Sequence, residues 1–190
     1  RVRIANSIKT QWSSRDTSLF LCIACLAIVT VLLCWRRPDA LVNPQFWAED
    51  GSTLFSEAYF YGARSLLRQH AGYYHLLARL AALAGRLIPL PYVPHWYYLA
   101  SWGLVALLIG YLFLPRIPLT NGLRFLLGLS LVANTADNEV FWNLSNFPFL
   151  LAPVLILLAI AQEPRNRQQA AFDMVIMLVT GLSSAFAVCL

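Results

Sequence analysis

The feature that most constrains this chain is the run 17–35, which carries no charged residue. A hydrocarbon core of ~30 Å asks a helix for about 20 apolar residues, because each adds ~1.5 Å of rise and every backbone polar group must be paired within the segment. A signal peptide would have a shorter apolar centre followed by small residues at a cleavage site, whereas Arg36, Arg37 and Pro38 follow here. The run therefore predicts a retained membrane span. Further apolar runs at 93–114, 123–133, 147–161 and from 170 onward, with 59% hydrophobic and 12% charged residues, predict an all-α, polytopic helical membrane protein of about five spans.

Two segments of the first loop read differently. Over 52–67, Leu54, Phe55, Ala58, Tyr59, Ala63, Leu66 and Leu67 share one helical face. The segment 73–90 is apolar except for His75, Arg79 and Arg86. Two arginines in a lipid-facing span would cost ~2.5 to 3.5 kcal/mol each, so both segments are expected to be amphipathic interfacial helices that do not cross. The positive-inside rule supports that choice. It leaves Arg1, Arg3, Lys9, Arg15, Arg116, Arg124, Arg165 and Arg167 on the inner side, against six basic residues outside. The N-terminus is then cytoplasmic, and residues 1–190 form a single integral-membrane unit. The scattered basic residues form no nucleic-acid-binding block.

The acidic residues carry the functional signal. Asp39, Glu49, Asp50, Glu57, Asp137 and Glu139 fall in two loops on the same predicted side. Glu49 and Asp50 precede Gly51, and adjacent side chains can meet one ligand only in a turn. Held so, they can take a proton from a hydroxyl or offer oxygen ligands to a divalent cation; equally, Asp50 can cap the helix that follows. Trp47 offers an aromatic platform for a sugar ring, or an interface anchor. Asp137, Glu139, Trp142 and Asn143 lie in a loop rich in amides and hydroxyls, suited to a polyhydroxylated ligand. His75 and Arg79 are candidates for a phosphate, since arginine forks bind phosphate oxygens bidentately. The three histidines have no metal-ligand spacing. The Cys22-x-x-Cys25 pair sits within the first span, where small apolar packing accounts for it.

Four stretches carry a family resemblance: Asn43 to Gly51 (NPQFWAEDG), Gly72-Tyr73 followed by Arg79, Asn138 to Asn146 (NEVFWNLSN), and Gly181-Leu182-Ser183-Ser184. Together they make the chain resemble bacterial membrane glycosyltransferases of the GT-C class. That resemblance implies sugar transfer from a polyprenyl-phosphate donor to an acceptor hydroxyl on the outer face of the cytoplasmic membrane, in the service of the cell envelope. It places Asp50 as general base, with Glu49 orienting it or helping to hold a cation. Arg79 and His75 would neutralise the departing lipid phosphate, while Asp137, Glu139 and Asn143 line the acceptor side and Trp47 and Trp142 stack on sugar. GT-C enzymes have more spans than five, so the chain is expected to be the N-terminal part of a longer protein or a degenerate relative without activity. The alternative is a non-catalytic membrane subunit packed against a larger membrane complex. The partners implied are a lipid-linked sugar donor and membrane lipids.

Overall fold

A computed structural model describes residues 2–133 and 141–184, and for residues 2–15 the backbone alone. All regular structure among the described residues is helical. The first helix, α1 (Val2–Arg36), contains the charge-free run and ends beside it at Arg36. Then come a single turn, α2 (Asp39–Val42), and a π-helical segment over Asp50–Phe55 that leads into α3 (Ser56–Tyr61) and a 3-10 segment, Gly62–Leu67. The remaining helices are α4 (Leu76–Gly85), α5 (Val93–Leu112), α6 (Asn121–Ala133), α7 (Phe147–Ile160) and α8 (Arg167–Ser183).

Local chemistry explains most of the boundaries. Asn166 caps α8, its Oδ1 accepting the Gln169 N–H at 2.9 Å, and Thr120 Oγ1 accepts the Leu123 N–H at 3.3 Å at the start of α6. Pro94 and Pro148 sit in the first turns of α5 and α7, where the missing N–H costs nothing. Gly62, at φ +57, ends α3.

Long-range contacts order the helices between two ends. Arg36 donates to the Val132 carbonyl, so the last turns of α1 and α6 lie together. Ser184 Oγ donates to the Pro148 carbonyl at 3.4 Å, bringing the end of α8 to the start of α7. At the opposite end Arg116 holds Asp173 through two bonds of 2.9 and 2.6 Å, and it donates to the Gln162 carbonyl. There Arg124, buried, donates to the carbonyl of Phe113 (3.3 Å), the residue that caps α5, and to that of Ile117 (2.7 Å) in the turn beyond. Thus α1, α5, α6, α7 and α8 alternate in direction. The loops between α1 and α5 and between α6 and α7 meet at one end, with α4 packed on α5 and α8.

Several expectations change. Among the described residues one helical segment, Asp16–Arg36, is long and apolar enough to cross a membrane, with mean hydropathy 2.7; α6 and α7 have 13 and 14 residues, about 20 Å of helix each. The predicted helix 52–67 is interrupted by a π-helical stretch and by Gly62. The predicted helix 73–90 is confined to Leu76–Gly85. It starts late because Ala71, Gly72 and His75 all take positive φ in a tight turn closed by the His70–Tyr73 bridge. It stops early because Pro89 cannot continue it.

Candidate functional site

Glu49 and Asp50 are adjacent in sequence but not in role. The π-helical segment begins at Asp50 and turns its carboxylate into the protein, leaving it 1% exposed, while Glu49 stays exposed. Both Asp50 oxygens are taken up by backbone N–H groups of the other loop. Leu144 N donates to Oδ1 and Oδ2 at 3.1 and 3.0 Å, and Ser145 N donates to Oδ1 at 2.8 Å. Asp50 thus fastens the turn before α7 to the loop after α1. Burial pushes its carboxyl up to about 6; the Leu144 and Ser145 donors pull the other way, and Glu49 adds to the rise.

That geometry does not fit a divalent cation. The Asp50 oxygens face the positive ends of two N–H bonds, Glu49 is exposed while Asp50 is buried, and the described residues contain no group of three metal-ligating side chains. The carboxylates do not share one ligand position as the turn argument had it, because the local helix sets them on different faces.

The same loop turn is braced from within. Asn143, buried, accepts the Asn146 N–H at 3.0 Å and donates to the Phe141 carbonyl at 3.4 Å. Trp142 has φ +70 and is buried, with its N–H on Ser101 Oγ at 3.1 Å and its ring edge-on to Tyr98 at 5.9 Å. Its indole N–H has no hydrogen-bond partner among the described residues. Trp47 is half-buried. Asp137 and Glu139 lie outside the described residues.

A second polar cluster surrounds α4. Arg79 is 1% exposed, and its Nη1 donates to Glu57 Oε2 at 2.6 Å while Nε donates to the Tyr74 carbonyl at 2.9 Å. Glu57 also takes Arg68 Nε at 2.8 Å, and Arg68 lies over the Tyr61 ring at 4.4 Å. Burial alone would raise the Glu57 carboxyl, but the two arginines outweigh it and hold it below its ordinary value. Arg68 and Arg79 thus pair with neither Glu49 nor Asp50. Their acid is Glu57, which packing of α3 on α4 delivers.

His75 sits beside this ion pair, stacked on Tyr73 at 4.0 Å and 5.6 Å from the His70 ring. Burial drives its pKa down to about 4, aided by His70 and Arg79, so the imidazole is neutral at pH 7. Neither of its ring nitrogens has a hydrogen-bond partner among the described residues, and the same is true of Arg79 Nη2 and Ser65 Oγ. Buried groups in this state cost about 1–3 kcal/mol each, so their concentration on α4 and the Gly62–Leu67 segment packed against it makes this cluster a candidate site. The positive φ of His75 adds local strain of the kind found at such sites.

Glu57 is the site residue that sequence reasoning did not assign. Nothing local marks it, since its partner is 22 positions away. The shared end of the two loops was legible; the pairing within it was not. No family model matches this chain, and no curated protein and no solved structure matches it.

Proposed function

We propose that the chain is a multi-pass membrane glycosyltransferase, or part of one, that moves a sugar from a polyprenyl-phosphate donor to an acceptor hydroxyl at the outer face of a bacterial cytoplasmic membrane. The observation that carries this reading is the buried Arg79 guanidinium with one unpaired nitrogen beside an unpartnered neutral His75. A phosphate ester offers acceptors for Arg79 Nη2 and for one imidazole N–H, and its departing charge is what such a site most needs to stabilise. The alternating helices support a multi-pass arrangement in which α6 and α7 cross with the help of their flanking turns.

In this reading Asp50, with a carboxyl near 6, matches the requirement for a general base acting around neutral pH. Its oxygens are reached only by releasing the Leu144 and Ser145 amides, so acceptor entry and opening of that turn are one event. Glu49 stands exposed at the entrance and orients the acceptor, with Trp47, Trp142 and Asn143 on the same side. Asp137 and Glu139 are assigned to the acceptor side from the sequence.

The test uses proteoliposomes given a polyprenyl-phosphate sugar. Asp50→Asn is expected to fold and to lose transfer, and Arg79→Gln to weaken donor use, while Glu49→Gln slows turnover less. Full turnover by Asp50→Asn together with loss in Glu49→Gln would move the base to Glu49. No sugar transfer by the wild-type protein would remove the enzymatic reading altogether.

One observation favours a second reading, a non-catalytic subunit of a larger membrane complex. The outer face of α8 exposes Phe172, Met174, Val175, Met177, Leu178 and Leu182, a continuous apolar strip that lipid or another membrane protein can cover. Purification in mild detergent separates the two, because a subunit would co-isolate with its partner in fixed ratio.

A further inference from the structure

Three adjoining cavities lie along one flank of the molecule. The first, about 490 Å³, is walled by Leu80, Leu83, Ala84, Arg86 and Leu87 at the end of α4. The second, about 630 Å³, shares Leu80 and Ala84 with it and continues over Ala100, Gly103 and Leu107 of α5. The third, about 230 Å³, shares Leu77, Leu104 and Leu107 with the second and ends at Tyr111 and Phe172. Shared walls make them one lane. It is open sideways, since Leu80, Leu87 and Leu107 are 42%, 88% and 72% exposed.

Arg86 is the one charged side chain among the described residues lining these cavities, and it sits at one end. Gly85, just before it, packs against Trp96 and Tyr97 in the first turns of α5, which places Arg86 level with the loop-bearing end of the bundle. The guanidinium is exposed and has no acidic partner among the described residues. From Ala100 to Tyr111 the lane follows twelve residues of α5, about 17 Å from first to last at a rise of 1.5 Å each. One leaflet of a bilayer is about 15 Å of hydrocarbon, half of ~30 Å.

We infer that this flank holds an anionic phospholipid, with its phosphate on Arg86 and one acyl chain lying in the lane between Leu80 and Tyr111. The charge is at the end where headgroups lie, the walls are apolar throughout, and the length is that of one leaflet's chain. A polyprenyl chain of many isoprene units would outrun it. The inference rests on the membrane part of the proposed function and is independent of sugar transfer.

Gly103 supplies a clean test. A Cβ added there meets nothing within 4 Å, and Gly103 is part of the lane's wall, so a side chain placed there starts from open space. The purified protein would be exchanged into detergent with phosphatidylglycerol, phosphatidylcholine or polyprenyl phosphate, and the retained lipid read by native mass spectrometry. Phosphatidylglycerol is expected to stay bound one to one. Gly103→Phe should cut its retention about tenfold, the loss expected when a buried chain segment is displaced, with no fall in thermal stability. Arg86→Glu should remove the preference for phosphatidylglycerol over phosphatidylcholine. Equal retention in wild type and Gly103→Phe would overturn the lane, and stronger retention of polyprenyl phosphate than of phosphatidylglycerol would overturn the phospholipid assignment. Because no arm measures transfer, failure here leaves the catalytic reading to its own experiment.

Discussion

Two buried ionisable sites lie at the same end of this molecule, and they are finished to different degrees. At Asp50 the charge is met by three backbone N–H contacts from the Leu144–Ser145 turn, and neither oxygen is left bare. At Arg79 the charge is met by Glu57, yet Arg79 Nη2, both nitrogens of His75 and Ser65 Oγ are left without partners among the described residues. A carboxylate saturated by amides ties two loops together. A cation with an unspent donor beside an unspent imidazole leaves hydrogen-bonding capacity that its neighbours do not meet. The comparison separates a charge that the protein has already met, and that must release two amides before it can act, from one that keeps donors unspent, where charge alone would have ranked the two alike.

The sharpest way to break that contrast is to remove Glu57. Glu57→Gln leaves Arg79 buried and uncompensated, and a loss of about 3–5 kcal/mol of unfolding free energy is expected. The double change Glu57→Gln with Arg79→Met should recover much of it, because the uncompensated charge is then gone. If Glu57→Gln were as stable as wild type, Arg79 would not depend on the pair, and the cluster would be loose surface chemistry. Chemical denaturation monitored by tryptophan fluorescence reads all three.

Asp50→Asn should come next. The amide presents one acceptor instead of two and turns an N–H₂ group towards N–H donors, for a cost of about 2 kcal/mol. Proteolysis should then cut first near residues 141–146, the turn that Asp50 holds. Unchanged cleavage there would deny the fastening role.

The two sites also respond to acid in opposite senses. Asp50 has a folded value raised to about 6 from an ordinary 3.8. Between those values the folded state binds more protons than the unfolded state, so its contribution grows as pH falls. His75 has a folded value lowered to about 4 from 6.5, so the unfolded state binds more protons and its contribution shrinks as pH falls. Over pH 4–6 the slopes of these two groups oppose each other, so their joint contribution should be nearly flat. Asp50→Asn should unmask a loss of stability on acidification, while His75→Phe should unmask a gain, each on the order of 2–3 kcal/mol across the window. The same slope in both variants would show that one of the two groups is not shifted as its burial requires.

The smallest effect belongs to Glu49. Exposed and one residue from Asp50, it should tolerate Glu49→Gln within about 0.5 kcal/mol, as surface substitutions away from special features do. A large destabilisation would mean that the acidic pair acts as a unit in folding after all.

Much of the helical framework was legible in the sequence, because helices are local. The run at 17–35, Pro94 and Pro148 in first turns, and Asn166 as a cap mark α1, α5, α7 and α8 through contacts only a few residues long. Charge position along the chain likewise indicated that the loops after α1 and α6 share one end. The loop helices were harder to read. The helix expected over 73–90 shrinks to Leu76–Gly85 because positive φ values at Ala71, Gly72 and His75 close a turn that apolar periodicity does not register.

What the sequence by itself determined is therefore the helical class, most helix positions and the meeting of the loops after α1 and α6 at one end. Tertiary structure decided which charge meets which. Asp50 reaches amides 94 and 95 positions away, and Arg79 finds Glu57 at a separation of 22. Helical periodicity and caps depend on neighbours within a turn or two. The cost of burying a charge depends on whatever packing brings beside it, and no local pattern carries that information.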